Sequence, residues 1–357
     1  MTAPPPLTPS PKRDEDPRPP ALTAPSKILV IQLYRIGDAL LTLPTVKELK
    51  KKFPQAAVDF LAENPAAEIL QGNPSIHRLI VYDKKRAWHF MREIRAQKYD
   101  WVIDFLGTPR TAVLTALSGA KVRAGLSRVF HRWAYNYPLT DPQGSFYVAE
   151  EKIRLLQPLG IEFHGDVRAE IKIPETSKAF ARDFFSQNQI RSPKIILSPV
   201  SRRHFNRWPL EKYASLADRL IMELKASILI PWGPGEKEEA TQVMSLMKEK
   251  PLLAPSTRNL MDLAAFMEGA NLFIGNDNGV KHIAAALKVP TFTIYGPHSP
   301  VSWTFPDPAR HRFIQKSCPC REEAKNEHLC REVSCLNSIS SDEVFKHVKD
   351  FLTNLIQ

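Results

Sequence analysis

Short apolar runs alternate with longer amphipathic stretches in the first half of the chain. KILVIQL (27–33), AVDFLA (57–62), RLIVYD (78–83) and DWVIDFLG (100–107) have the length of strands, and a stretch with helical spacing follows each of them. A fifth run, KVRAGL, ends at Leu126. Because these runs are apolar without alternation, we expect helices to cover both faces of the strands, as in a parallel sheet.

The same alternation begins again in the second half. The strand-length runs there are KIILSPVS (194–201), ASILIPWG (226–233), NLFIGNDNG (271–279) and PTFTIYGP (290–297). We therefore predict an α/β protein of two Rossmann-like, doubly wound domains with a cleft between them. The predicted domains are residues 27–175 and 176–340, followed by a C-terminal helix (341–357) that packs back on the first domain.

Composition narrows the possible partners. Residues 1–26 are Pro-rich and predict a disordered extension without the apolar stretch of a secretion signal, so we expect a cytoplasmic protein. The net charge is +11, and residues 27–150 carry 18 Lys/Arg against 11 Asp/Glu. This excess favours an acidic partner or is simply a soluble basic surface. No nucleic-acid-binding motif accompanies it, so nucleic acid is not expected. The run Lys50–Lys52 is either the solvated end of a helix or a patch facing an anionic membrane.

The segment LYRIGDALLTLP places a single acid, Asp38, where the first strand turns into a helix. Asp is a common helix N-cap, which is the structural explanation. A carboxylate at the carboxyl end of a strand is also placed to act as a general base on a ligand in the cleft. Asp38 alone does not decide between the two.

The segment LFIGNDNGVKHIAAALKVPTFTIYGPHSP carries the clearest candidate site. A buried strand ends at Asp277, Asn278 and Gly279, and His282 lies in the first turn of the helix that follows. Free N–H groups at such a helix end suit a phosphate or diphosphate, and Asp277 suits ligand hydroxyls. The alternative is a capped helix with a half-buried histidine.

Two neighbouring strand ends favour the ligand interpretation. Arginines can neutralise a phosphate, glycines let a ligand approach the backbone, and a carboxylate suits ribose hydroxyls. The candidates are Ser198, Ser201, Arg202, Arg203 and Arg207 after one strand, and Gly233 and Glu236 after the next. Together with the preceding segment they predict a nucleotide-sized site in the second domain. Neither a G-x-G-x-x-G after the first strand nor a P-loop is present.

The residues KILVIQLYRIGDALLTLPTVKELKKKFP, NRWP and NDNGVKHIAAAL…PTFTIYGPHSP resemble the heptosyltransferases, the glycosyltransferases of family nine that build the lipopolysaccharide inner core. The resemblance covers roughly residues 27–355. It implies a GT-B fold and inverting, metal-independent transfer from ADP-heptose, so no cofactor and no metal site are expected. The implied partners are a nucleotide-sugar donor and a lipid-linked anionic glycan acceptor, with peripheral contact to the inner membrane.

The resemblance also implies roles for individual residues. Asp38 falls on the catalytic base, Asp277 on the sugar-binding acid, and Glu236 on the ribose-binding acid. Gly279 and His282 fall on the phosphate-facing positions. Asn206 occupies the position of a lysine that contacts the donor diphosphate, and we expect Arg202, Arg203 or Arg207 to supply the missing charge. Asn278 replaces the usual Ser or Thr but keeps a donor and an acceptor.

The acceptor is expected in the first domain, against basic residues near the strand ends. An anionic Kdo or phosphorylated sugar would suit them. The candidate acceptor contacts are Arg35, Gly37, Arg110 and Arg123, with Gly37 leaving room for the acceptor.

The cysteines form a C-P-C-x₉-C-x₄-C cluster, Cys318, Cys320, Cys330 and Cys335. Their clustering admits zinc, although the first pair is closer than in common zinc sites. Disulfides or reduced thiols in a structural loop are the alternatives.

Two other functions are consistent with the same sequence. One is a GT-B transferase or epimerase that uses another nucleotide-sugar. The other is a non-catalytic two-lobe protein that binds a sugar or nucleotide.

Overall fold

The computed structural model describes residues 22–318 and 333–356, which form two parallel sheets covered by helices. The strands of the first sheet are β1 (Lys27–Ile31), β2 (Ala57–Ala62), β3 (Arg78–Val81), β4 (Trp101–Asp104), β5 (Val122–Leu126) and β6 (Tyr137–Leu139). Those of the second are β7 (Lys194–Ser198), β8 (Ser227–Ile230), β9 (Leu252–Leu253), β10 (Leu272–Asn276), β11 (Thr291–Tyr295) and β12 (His311–Gln315).

The helices alternate with these strands. They are α1 (Ile36–Leu40), α2 (Leu43–Lys52), α3 (Ala87–Ala96), α4 (Pro109–Leu117), α5 (Val148–Arg154), α6 (Glu175–Gln187), α7 (Leu210–Leu224), α8 (Lys237–Leu246), α9 (Leu260–Met267), α10 (Gly279–Ala286), α11 (Pro300–Trp303), α12 (Ser334–Asn337) and α13 (Ser341–Ile356). Short 3₁₀ helices span Glu68–Leu70, Lys84–Arg86, Arg132–Ala134, Gln157–Leu159 and His204–Asn206. No helix in the described ranges combines the length and apolar character needed to cross a membrane.

Both sheets have the same strand order. The first is β3-β2-β1-β4-β5-β6 and the second is β9-β8-β7-β10-β11-β12, with every pair parallel. The order reverses beside β1 and β4 in the first sheet, and beside β7 and β10 in the second. Ligands bind at such points because the loops after the two central strands diverge there. The predicted fold of two doubly wound α/β domains is confirmed.

Alternating residues of the central strands explain why these strands are apolar throughout. In β1, Ile28 and Val30 join one buried cluster, whereas Leu29 and Ile31 join another on the opposite face of the sheet. All four are fully buried. A strand covered on both faces has no side in contact with solvent. A polar side chain at any of its positions would therefore be buried and would lower the free energy of unfolding.

The two domains share a hydrophobic cluster. Phe60 and Ile69 of the first domain belong to the same buried cluster as Phe266 and Ile283 of the second. The Glu68 carboxylate also accepts a hydrogen bond of 2.8 Å from the N–H of Leu260, across the boundary at the start of α9. Apolar packing, together with this polar contact, therefore holds the domains against each other.

The final helix differs from its prediction in where it packs. Ser340 Oγ accepts a hydrogen bond from the Glu343 N–H at the start of this helix. The expectation that this helix packs on the first domain is wrong, because α13 lies against α7. Phe345 and Val348 are buried in the core of the second domain. The helical spacing of apolar residues in α13 predicts that one face is buried, but it does not predict which surface covers that face.

A second difference concerns the helix predicted after β1. The chain forms two helices there, α1 and α2, separated at Leu41 and Thr42. Pro44 lies in the first turn of α2, where its missing N–H costs no hydrogen bond. The break leaves α1 only five residues long.

A buried lysine holds this broken segment in place. Lys152 of α5 donates hydrogen bonds to the Gln32 side chain, the Asp38 carbonyl and the Thr42 hydroxyl, at 3.1, 3.1 and 2.7 Å. Burial lowers the pKa of Lys152 to about 8, and the nearby charges of Asp38 and Glu151 only partly oppose that effect. This role could not be predicted from the sequence, because Lys152 lies in a stretch that has the pattern of a charged helix surface.

In the second domain, a buried asparagine, Asn276, likewise holds a loop in place through hydrogen bonds. Its side-chain oxygen accepts from the Trp208 N–H at 3.0 Å and the Tyr213 hydroxyl at 2.9 Å. Its amide donates to the Pro199 carbonyl at 2.6 Å. One fully buried side chain thus fixes the loop between β7 and α7 to the end of β10.

We predict that Asn276→Ala lowers the free energy of unfolding by about 2–4 kcal/mol, because three buried polar groups lose their partner. Tyr213→Phe removes only one of these bonds and is expected to cost about 1 kcal/mol. Denaturant titrations of the two variants and the parent measure the difference. Equal effects of the two substitutions would contradict the role of Asn276.

Lys152 generates a prediction about pH. Between pH 8 and 10.5 the unfolded chain binds more protons at this lysine than the folded protein does, so its contribution to stability increases as pH rises. From pH 7.5 to 9.5 that gain is about 2 kcal/mol. In Lys152→Met we expect this rise to be missing relative to the parent. Denaturation at the two pH values tests it, and identical pH dependence of the two proteins would refute it.

Candidate functional site

The first turns of α1 and α10 touch where the two domains meet. A Cβ on Gly37 would lie 3.0 Å from His282 Cδ2 and 3.5 Å from the Gly279 Cα. A Cβ on Gly279 would lie 3.3 Å from the Gly37 nitrogen. The two helices each follow a central strand, so the carboxyl edges of both sheets converge at this contact. Gly37 makes room for His282 rather than for an open space, which differs from the expectation for this glycine.

Asp38 does not cap its helix. Arg35 is the N-cap of α1 and makes no side-chain capping bond, whereas Asp38 is the third helical residue. Its side chain is 19% exposed, and the Arg35 guanidinium lies 3.9 Å from the carboxylate. The structural explanation offered for Asp38 is therefore wrong, and its carboxylate lies partly open beside the contact between the domains.

The backbone beside Asp38 is strained. Arg35 has φ 69° and ψ 110°, which is an unfavourable conformation for a residue with a Cβ. The strain turns the chain sharply between β1 and α1. Gly37, two residues after Arg35, contacts Gly279 of the second domain, so the backbone of this turn has little freedom to change.

Asp277 lies on the other side of this contact, in the second domain. It is buried among charged and polar side chains. Its carboxylate pairs with the Lys281 ammonium and with His298 Nδ1, the latter at 2.6 Å. Burial alone would raise the pKa of Asp277, but the Lys281 charge and the hydrogen bond from His298 outweigh it and hold that pKa well below its usual range. Lys281 also donates to the Tyr295 hydroxyl at 2.7 Å. Asp277 is thus a fixed, ionised carboxylate.

Asn206 joins the same group from the loop after β7. Its amide donates to the Asp277 carbonyl at 3.0 Å and lies 3.2 Å from His298 Nδ1. Its side-chain oxygen is buried and has no hydrogen-bond partner among the residues that the structure describes. A buried acceptor without a partner is costly unless a ligand satisfies it.

The loop arginines differ in what they contact. Arg203 lies 3.1 Å from His298 Nε2 and so reaches the Asp277 group. Arg207 donates to the Ser201 carbonyl and pairs with Glu239 of α8, which occupies its charge within the protein. Arg202 is exposed. Of the three arginines expected to replace a lysine at position 206, the structure brings Arg203 to the site.

Asn278 reduces the number of free amides at the start of α10. Its side-chain oxygen accepts from the N–H groups of Val280 and Lys281, at 3.1 and 3.2 Å. Its own amide donates to Ser198 Oγ and the Val200 carbonyl. The helix end is therefore capped as well as close to the candidate ligand groups, and the two interpretations of this segment do not exclude each other.

His282 is a neutral donor or acceptor in this setting. Burial, with the nearby Lys281 charge, lowers its pKa to about 3, so its imidazole carries no charge at neutral pH. Its ring lies 6.0 Å from the Trp303 ring, between centroids. Any contact of His282 with an anion is therefore a hydrogen bond from a neutral ring rather than an ion pair.

The remaining donor-side candidates follow β7 and β8. Ser198 and Ser201 are buried, and Ser201 Oγ accepts from the Arg203 N–H. The Glu236 carboxylate accepts from the Gly233 N–H at 2.9 Å and so closes the turn after β8. These groups lie at the same carboxyl edge as Asp277 because β8, β7 and β10 are neighbours.

The two other basic candidates of the first domain have different surroundings. Arg110 lies in the first turn of α4 at the carboxyl edge, where it pairs with Glu63 and lies 5.7 Å from the Tyr82 ring centroid. Arg123 lies near the start of β5 and donates to the carbonyls of Ala134 and Ala120. The structure does not bring Arg123 to the site, because its position in the strand is at the opposite edge of the sheet.

The cysteine cluster falls partly outside the described residues, which do not include Cys320 and Cys330. Cys318 and Cys335 are buried in the core of the second domain. Within residues 22–318 and 333–356, no group of three or more His, Cys, Asp or Glu side chains could hold a metal ion. The alternatives for the cluster stay open.

Three contributors to the site were missed at the sequence level. Lys152, Lys281 and His298 are all polar side chains buried by tertiary packing. His298 follows the Gly296-Pro297 strand end, and that position was its only signal. Lys281 is next to His282 in the sequence and looked like an ordinary solvent-facing lysine.

The sequence resembles known heptosyltransferases over most of its length. The sequence profile of "Glycosyltransferase family 9 (heptosyltransferase)" matches residues 87–334. Lipopolysaccharide heptosyltransferase 3 of Escherichia coli is 26% identical over 284 residues, which are 75% of this chain and 82% of that protein. Lipopolysaccharide heptosyltransferase 1 of Pseudomonas aeruginosa is 26% identical over 298 residues, 77% of this chain and 79% of that protein.

Solved structures show the same fold. A family 9 glycosyl transferase from Veillonella parvula superposes with a TM-score of 0.79 at 26% identity, covering 92% of this chain and 97% of that one. The E. coli ADP-heptose lipopolysaccharide heptosyltransferase II superposes with a TM-score of 0.74 at 20% identity, covering 93% and 100%. The profile spans well over half of the chain, and so this protein is a glycosyltransferase that belongs to family 9, the heptosyltransferases.

Proposed function

We propose that the chain transfers a heptose from ADP-heptose to an anionic acceptor of the lipopolysaccharide inner core, with inversion and without a metal ion. The observation that carries the proposal is the partly open Asp38 carboxylate beside the contact between α1 and α10. The relatives in E. coli and P. aeruginosa are named as lipopolysaccharide heptosyltransferases and support this acceptor class. The reaction would take place at the cytoplasmic face of the inner membrane.

In this mechanism the donor lies against the second domain and the acceptor against the first. The acceptor hydroxyl oxygen attacks the anomeric carbon, and its proton passes to the Asp38 carboxylate. The bond from the anomeric carbon to the diphosphate breaks, and ADP leaves with the electron pair from the opposite face. General-base assistance of this kind contributes roughly 10²–10⁴-fold.

The leaving diphosphate needs positive charge or hydrogen-bond donors. Arg203 and the neutral His282 are the candidate direct contacts, and Glu236 is the candidate for the ribose. Electrostatic stabilisation of developing charge is usually the largest single contribution to catalysis. On the acceptor side, Arg35 and Arg110 are the proposed contacts for an anionic sugar.

Lys281 is the proposed source of the charge that this group lacks at position 206, whereas Arg203 remains the proposed contact for the diphosphate. Asn206 and Lys281 approach Asp277 from two sides, one at its carbonyl and the other at its carboxylate. A lysine at both positions would put two ammonium groups beside one acid. Because Asn206 is uncharged, the lysine charge of this group is carried by α10 rather than by the loop after β7.

Asp38→Asn is expected to lower the transfer rate by at least about 10²-fold, because the amide cannot accept the proton. Binding of ADP, measured by calorimetry, should be unchanged. Asp166→Asn is a matched control, since Asp166 pairs with Lys47 on the surface of the same domain. The assay uses ADP-heptose and truncated core acceptors, with and without EDTA, and UDP- and GDP-sugars as alternative donors.

Each arm of that assay has a distinct consequence. Wild-type turnover by Asp38→Asn would remove Asp38 as the base. Dependence on a divalent cation, or a preference for another nucleotide-sugar, would overturn the proposed donor chemistry. ADP binding without transfer to any core acceptor would favour the non-catalytic binding protein.

The relocated charge is tested by a double-mutant cycle of Asn206→Lys and Lys281→Gln. Lys281→Gln leaves the buried Asp277 with less compensation and is expected to cost about 3–5 kcal/mol of stability and weaken ADP binding. Adding Asn206→Lys should recover most of both losses, whereas Asn206→Lys alone should destabilise the protein. Lys288→Gln is the control, because Lys288 is exposed and lies two residues after the end of α10. Additive losses in the double variant would refute the relocation.

A further inference from the structure

Three large aromatic side chains stand in solvent on the first domain. Trp88 is 77% exposed, Phe130 is 91% exposed and Trp133 is 63% exposed. Scattered apolar residues are normal on protein surfaces, but large exposed apolar patches mark binding surfaces. We call Trp88, Phe130 and Trp133 the aromatic rim.

The aromatic rim lies at the carboxyl edge of the first sheet. Trp88 is in the first turn of α3, after β3, while Phe130 and Trp133 lie in the segment after β5. Helix α3 packs against α4, and α4 packs against the 3₁₀ helix that carries Trp133. The elements that carry the three side chains are therefore neighbours along one side of the domain, at the same edge as Asp38.

The backbone path, rather than a loose loop, holds these rings outward. Val129, next to Phe130, packs against a small buried cluster, and a Cβ on Gly107 would lie 2.7 Å from it. Ala134 and Tyr135, directly after Trp133, are buried in the same cluster. Phe130 and Trp133 are thus the outward residues of a segment that is anchored on both sides.

Positive charge surrounds the aromatic rim. The exposed cations beside it are Lys84, Lys85, Arg86 and Arg132. In contrast, Lys50–Lys52 end α2 at the opposite edge of the sheet, where Lys50 donates to the carbonyls of Pro54 and Ala56. Those lysines fit the solvated helix end rather than a docking patch.

We propose that the aromatic rim and its flanking cations form a docking surface for an anionic lipid bilayer. Aromatic rings favour the headgroup region of a membrane, and exposed Lys and Arg are attracted to anionic headgroups. Membrane docking at this edge would bring the opening beside Asp38 to the depth at which a lipid-linked sugar leaves the bilayer. That last step rests on the proposed function, but the binding itself does not.

The test is cosedimentation of the full chain with vesicles of phosphatidylcholine, with and without 30% phosphatidylglycerol. We expect at least about tenfold stronger binding to the anionic vesicles at low salt, with much of it lost at 0.5 M NaCl. The triple variant Trp88→Ser, Phe130→Ser, Trp133→Ser should bind at least about tenfold more weakly. The variant Lys84→Gln, Lys85→Gln, Arg86→Gln should lose the preference for anionic vesicles.

Met222→Ser with Leu246→Ser is the matched control, because both side chains are 47% exposed on the second domain. It should bind vesicles as the parent does. Thermal unfolding and ADP binding of every variant verify the fold. Parent-like vesicle binding by the triple aromatic variant, or no preference of the parent for anionic vesicles, would overturn the proposal.

Two further measurements separate the alternatives. Light scattering after gel filtration should give the same oligomeric state for the parent and the triple aromatic variant, and a change would assign the surface to self-association instead. Transfer to a deacylated, soluble acceptor should be unaffected by the triple variant. If the parent fails to transfer to that acceptor but binds anionic vesicles, the proposed function fails and the docking surface remains.

Discussion

The contact between Gly37 and Gly279 is the constraint on which the arrangement of the site depends. The helix ends of the two domains meet at these glycines with no side chain between them. The edge of the His282 ring fills the space where a side chain on Gly37 would lie. Both helix ends carry partial positive charge, so their approach is favourable only in a neutral or anionic setting. The His282 ring is uncharged and the start of α10 is capped, while the carboxylates of Asp38 and Asp277 offset the nearby charges of Arg35 and Lys281. The position of Asp38 relative to Asp277 follows from how closely the two glycines approach.

Much of the fold could be predicted from the pattern of apolar residues, because the central strands are buried on both faces. The edge strands β6, β9 and β12 were missed. They are short, and β6 contains Pro138 while β12 contains His311 and Arg312, so their sequences lack the continuous apolar run. The break between α1 and α2 was also missed, although Pro44 in the first turn of α2 marks it.

The candidate site was less predictable than the fold. The strand-end loops that hold Asp38, Asp277 and Glu236 could be found because parallel strands bring their carboxyl ends to one edge. The partners of those residues could not. Lys281 becomes a buried cation only because Asp277 and Tyr295 enclose it, and Lys152 only because α5 packs on the turn after β1. For Arg123 the prediction itself failed. It lies near the start of β5, so it is at the edge of the sheet opposite the candidate site.

The hydrophobic cluster shared by the two domains has a consequence for the integrity of the site. Phe60 and Ile69 of the first domain belong to one buried cluster with Phe266 and Ile283 of the second, so separating the domains would expose this apolar surface to water. Gly37 and His282, which come from different domains, meet beside that cluster. The burial that stabilises the fold therefore also sets the relative position of the two halves of the site, and a substitution that weakens the shared cluster would loosen both.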